Sequence, residues 1–162
     1  MKRIVTLFLI IYAVVSCNTD DKVDPPNAFV DLAFSFRMQN KSGEDLLNPM
    51  NENAYKHENI RLFYIINETQ KMNLGLESND KLIDSYNEGG KEIYHINIRQ
   101  LHQTTDINRM EVYLSLSKSE VDKIEMEVIR PDNNTIRKSK IWYNGELVWD
   151  VNENNGNLTI EK

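Results

Sequence analysis

The chain has 162 residues, with 19 Lys and Arg against 25 Asp and Glu, a formal charge of −6 and one cysteine. This length is that of one ordinary domain, and a single thiol excludes an intramolecular disulfide framework and any multi-cysteine zinc or iron–sulfur centre. Apolar residues make up 40% of the chain, enough for a core, and four Pro with six Gly exclude the collagen-like and Pro/Gly-rich classes. The acidic balance argues against nonspecific nucleic-acid binding, whose affinity comes mainly from Lys and Arg neutralising phosphates.

In chain order, Lys2 and Arg3 precede an apolar run from Ile4 to Val15, which leads to Ser16 and Cys17. The run falls short of the about 20 residues a membrane span needs and suits the core of a signal peptide. Val14-Val15-Ser16-Cys17 resembles the lipobox of bacterial lipoproteins, in which the cysteine is acylated and becomes the first mature residue. The resemblance implies that residues 1–16 are a signal peptide and that Cys17 carries the lipid. Removing 1–16 leaves 17 cationic residues against 25 acidic ones, so acyl chains rather than a polybasic patch would hold the anionic body at a membrane. Asn18-Thr19-Asp20-Asp21 is similar to the surface-export signal of Bacteroidetes lipoproteins. Residues 17–28, with Pro25-Pro26, read as the lipidated cysteine and a short extended tether, because proline fixes φ and stiffens the chain.

From Phe29 onward the hydrophobic period is two, the pattern of half-buried strands. Leu32, Phe34, Phe36 and Met38 alternate with Ala33, Ser35 and Arg37. Residues 60–66 and 92–98 are runs rich in Ile and Tyr. Met110, Val112, Leu114 and Leu116 form a second clear alternation, and Ile124, Met126 and Val128 a third. Residues 44–56 have room for one helical turn, and nothing of helical period competes with the strands.

Ile141-Trp142-Tyr143-Asn144-Gly145-Glu146-Leu147-Val148-Trp149 carries the sharpest local signal, since Asn-Gly supplies the two positive φ values of a type I′ hairpin turn. A regular ladder across that turn puts Trp142, Leu147 and Trp149 on one side and Ile141, Tyr143 and Val148 on the other. Gly43-Glu44-Asp45-Leu46-Leu47-Asn48-Pro49 and Lys140-Ile141-Trp142-Tyr143-Asn144-Gly145-Glu146-Leu147-Val148-Trp149 together resemble a group of small Bacteroidetes lipoproteins. That resemblance implies a lipid-anchored β-rich domain and supplies no catalytic residue. Residues 29–162 are therefore expected to form a single all-β domain, an antiparallel β-sandwich, immunoglobulin-like or related, of about seven or eight strands.

Several constellations could carry chemistry, and each has a plainer reading. Ser, His and Asp occur without a G-x-S-x-G nucleophile motif, and His57, His95 and His102 lack H-x-H or H-E-x-x-H spacing. Asp150, Asn152, Asn154 and Glu161 stand at alternate and closing positions of a calcium loop, but Gly156 is one place late and strands replace the flanking helices, so an Asn-rich turn is favoured. Glu120, Asp122, Glu125 and Glu127 form an acidic run, of which Glu125 and Glu127 share a solvent face with Lys123. The hairpin offers a genuine choice: Trp142, Trp149 and Leu147 are either core or a ligand-binding platform suited to a sugar ring or a protein partner.

The functional expectation is a noncatalytic, lipid-anchored cell-envelope protein of the outer membrane, surface-exposed or periplasm-facing. It would have no cofactor, metal or nucleic-acid partner, a membrane attachment through Cys17, and a role in binding or assembly with a protein or glycan. The alternatives are a glycan-binding accessory of a polysaccharide-uptake system and a small envelope hydrolase.

Overall fold

Alternating β-branched and aromatic residues fit a pleated surface with one buried face, and the chain forms strands wherever that pattern holds. The computed structural model describes residues 29–66, 70–73, 81–99, 101–104, 106–153 and 157–162. The expected signal peptide, Cys17 and the tether lie outside the described residues. The strands are β1 (Phe29–Asp31), β2 (Phe34–Gln39), β3 (Arg61–Ile66), β4 (Gln70–Asn73), β5 (Ile83–Glu88) and β6 (Lys91–Ile98). They continue with β7 (His102–Gln103), β8 (Arg109–Ser115), β9 (Val121–Asp132), β10 (Thr135–Tyr143), β11 (Glu146–Asp150) and β12 (Leu158–Glu161). Residues 44–56, which have room for one helical turn, form turns and bends, and a 3-10 turn follows at His57–Asn59. Among the described residues no helix is long and apolar enough to cross a membrane.

The larger sheet runs β1-β10-β9-β8-β3-β4, with β11 also paired to β10 and β7 also paired to β8; the smaller runs β12-β2-β6-β5. Strand β1 pairs with Thr135–Arg137 and β11 with Lys140–Tyr143, so these two short strands lie end to end along the edge of β10 that β9 leaves free. The expected all-β sandwich holds, with more strands than expected and, among the described residues, two parallel pairings, β1 with β10 and β12 with β2, beside otherwise antiparallel ones. The alternation read from Leu32 to Met38 forms a strand from Phe34 onward, and at Leu32-Ala33 the chain passes from β1 in the larger sheet to β2 in the smaller.

The inward faces meet in one core. Phe36 and Met38 of β2, Ile96 and Ile98 of β6 and Leu158 and Ile160 of β12 face Val112 and Leu114 of β8, Ile124, Met126 and Val128 of β9 and Ile141 of β10. Leu46 and Leu47 close one end of this core from the β2–β3 loop. That loop is tied down locally: Asp45 Oδ1 accepts from the Leu47 N–H at 2.8 Å, and Tyr55 N–H donates to the Leu46 carbonyl at 2.8 Å. Side-chain oxygens that bond the backbone two residues on let Asx turns replace helix here.

Candidate functional site

The densest polar cluster is built by continuing the alternation of β9 one step past its apolar residues. Ile124, Met126 and Val128 point inward, and the same phase turns Asp122 inward at the end of the sandwich, where it is only 4% exposed. Three donors converge on its carboxylate: Tyr143 Oη at 2.5 Å, Asn144 Nδ2 at 2.6 Å and Lys162 Nζ at 2.6 Å. Lys162 Nζ also donates to Glu120 Oε1 at 2.8 Å, and the Tyr55 hydroxyl donates to the same carboxylate at 3.1 Å. The cluster thus joins the β2–β3 loop, the β8–β9 turn, the tip of the β10–β11 hairpin and the end of β12.

Burial alone would raise the Asp122 carboxyl, but the hydrogen bonds from Lys162, Tyr143 and Asn144 outweigh it and hold the group below its usual range. Burial likewise opposes the charge on Lys162, and its bonds to Asp122 and Glu120 raise it above an ordinary lysine. The Tyr143 phenol is pushed far up by burial and by its bond to Asp122. These groups satisfy one another, so the cluster is a clasp between four chain segments. The acidic run of the sequence is divided accordingly: Asp122 is buried, while Glu125 meets Lys123 on the outer face at 3.1 Å.

The hairpin turn forms as expected, with φ of 51° at Asn144 and 86° at Gly145. Its ladder does not. Tyr143 faces Glu146 and Trp142 faces Leu147, but Ile141 faces Trp149 and Lys140 faces Asp150, because the register shifts between Ile141 and Trp142. A bulge inserts one residue into one strand and reverses the faces beyond it. Trp149 therefore joins the side of Ile141 and packs against the core, while Trp142 and the 46%-exposed Leu147 stay on the outer face. The platform of Trp142, Leu147 and Trp149 on one side is not assembled.

The two indoles have different neighbours. The Arg109 guanidinium lies over the Trp142 ring at 4.3 Å from its centroid, beside Lys123, which bridges Glu111 and Glu125 at 3.1 Å each. The Lys138 ammonium lies 6.0 Å from the Trp149 centroid and pairs with Asp31 at 2.6 Å. Trp149→Ala is expected to lower unfolding free energy by about 2 kcal/mol, below the full core value because the ring is half-buried, and Trp142→Ala by about 1 kcal/mol, because its ring, equally half-buried, covers Arg109 on the outer face and its loss leaves no core cavity. Urea denaturation of the two variants checks this; equal losses would contradict the opposite placement of the rings.

The histidines are dispersed. His57 Nε2–H donates to the Leu47 carbonyl at 2.6 Å, and the His102 ring stacks on Tyr64 at 4.4 Å. His95 lies in the other sheet beside Tyr86, its Nδ1 buried without a hydrogen-bond partner. Among the described residues no three His, Cys, Asp or Glu side chains converge as metal ligands. Asp150 Oδ1 accepts from the Asn152 N–H at 2.8 Å and from its side-chain amide at 3.0 Å, the pattern of an Asx turn, and Asn154 and Gly156 lie outside the described residues.

A different feature was invisible in the sequence. Between Ile60–Leu62 at the start of β3 and Leu82–Ile83 at the start of β5, a cleft of about 420 Å³ opens on the core, with Arg61, Lys81 and His57 also lining it. These residues are some twenty positions apart in the chain and come together because β3 and β5 belong to facing sheets. No protein-family model, curated protein or solved structure matches this chain.

Proposed function

We propose that this is a noncatalytic, lipid-anchored protein of the bacterial cell envelope, held at the outer membrane through Cys17 and serving a binding or assembly role. The observation that carries the reading is the order Lys2-Arg3, apolar Ile4 to Val15, Ser16 and Cys17, in which the chain's single cysteine stands where a lipobox places it. An anchored binding module also suits a β-sandwich whose densest polar cluster is satisfied internally and whose cleft opens toward solvent at one end. More than one acyl chain on Cys17 would give the stable attachment that a single chain does not.

Growth with a labelled fatty acid tests the anchor. The wild-type chain is expected to take up label and fractionate with membranes, and Cys17→Ala to lose both, since no other thiol is present. Label retained by Cys17→Ala would overturn the reading.

A further inference from the structure

The cleft between β3 and β5 combines two chemistries. Its floor is aliphatic, formed by Ile60, Leu62, Leu82 and Ile83, and the first three of these also belong to the buried core. Its mouth is cationic, formed by Arg61 and Lys81, and no Asp or Glu lines it among the described residues, in a chain with more acidic than basic residues. His57 adds a side wall, with its Nε2–H directed at the Leu47 carbonyl.

Arg37, Lys123, Lys138 and Lys162 each pair with a carboxylate. Among the described residues Arg61 donates to its neighbour's carbonyl, that of Ile60, at 2.7 Å, and neither Arg61 nor Lys81 pairs with a carboxylate. Aliphatic walls favour hydrocarbon, unneutralised cations at the rim favour an anion, and the volume falls within the about 300–1,000 Å³ of small-molecule sites.

We propose that this cleft binds a single-chain anionic amphiphile, a fatty-acid-like carboxylate whose hydrocarbon lies against Leu62, Leu82 and Ile83 and whose head group meets Arg61 and Lys81. A neutral chain would leave the cations unanswered, and a cationic chain would be repelled by them. The assignment names a ligand class for the binding role above and rests on that half of the reading alone. Its failure would leave labelling at Cys17 untouched, and failed labelling would leave the cleft's ligand untouched.

Displacement of dansyl-undecanoate from the full chain tests it, with octanoate, decanoate, decanol and decylamine as competitors below their micellar concentrations. Decanoate is expected to compete best, to gain about four-fold in affinity per methylene over octanoate, and to exceed decylamine by about tenfold or more. The Arg61→Ala/Lys81→Ala double variant should lose about tenfold toward decanoate and little toward decanol, because only the charged head group is affected. Ile83→Trp, at the half-buried end of the aliphatic floor, should lower the affinity for both by filling the cleft. Every variant carries the same apolar residues 4–15, so uptake by that segment cancels in the comparison. Equal competition by decanoate and decylamine, or full decanoate affinity in the double variant, would overturn the proposal even if Ile83→Trp failed to fold.

Discussion

Asp122→Ala is expected to lower the unfolding free energy by about 3 kcal/mol. The substitution removes the one acceptor shared by Tyr143, Asn144 and Lys162 and leaves the buried Tyr143 hydroxyl without a partner. The figure stays at the low end for a broken buried ion pair because the Lys162 side chain is partly exposed and keeps Glu120 at 2.8 Å.

The same cluster sets a pH dependence whose direction follows from the shifts. The folded-state carboxyl of Asp122 lies below its unfolded value, so its contribution is complete above about pH 4 and is lost as pH falls through the depressed folded value. Lys162 is raised above its ordinary value, so its contribution is complete below about pH 10 and is lost as pH rises through the folded value. Burial and Asp122 keep the Tyr143 phenol protonated, which adds loss on the same alkaline side. Urea midpoints measured from acid to alkaline pH should therefore show a plateau between about pH 4 and about pH 10. Asp122→Asn should flatten the acid limb, and an acid limb unchanged in that variant would contradict the assignment.

Phe36→Ala should be costlier still, at about 3–5 kcal/mol. Phe36 is 2% exposed and sits on β2, an interior strand of the smaller sheet flanked by β12 and β6. Its ring packs edge-on against Tyr143 at 6.0 Å across the sandwich and stacks with Phe34 at 6.2 Å. Truncation leaves a cavity between two sheets whose ladders prevent them from closing on it, so both the transfer and the cavity contributions are lost. The expected readout is a lower urea midpoint with an unchanged denaturant slope. A loss under about 1 kcal/mol would mean that the two sheets do not meet at Phe36.

Strands were legible wherever their own residues alternate. Val112 to Leu116 and Ile124 to Val128 announce their buried faces because each inward position is apolar and each outward one polar or half-buried. Strand β5 gives no such signal: after Ile83 it reads Asp84, Ser85, Tyr86, Asn87 and Glu88, an edge strand held by its ladder with β6 rather than by a buried face of its own. The Asn-Gly turn was legible because its backbone demand is local, whereas the side taken by Trp149 was not, since a single bulged residue reverses every face beyond it.

The sequence by itself determined the all-β class, the hairpin turn and the expectation of a lipid anchor, because period-two alternation, positive-φ turn residues and a leader pattern are each written in neighbouring residues. Only the tertiary structure decided which polar and charged groups meet. Asp122 acquires Lys162 from 40 residues away, Tyr55 reaches Glu120 across 65, and Arg61 on β3 and Lys81 just ahead of β5 reach one cleft. Such meetings depend on sheet order, on the parallel docking of β12 beside β2 and on the bulge in β11, and none of these leaves a mark on the local pattern. The physical reason is that a short-range pattern specifies the backbone form and the buried side of a strand. The partners of a side chain are specified by the long-range packing of one sheet on the other.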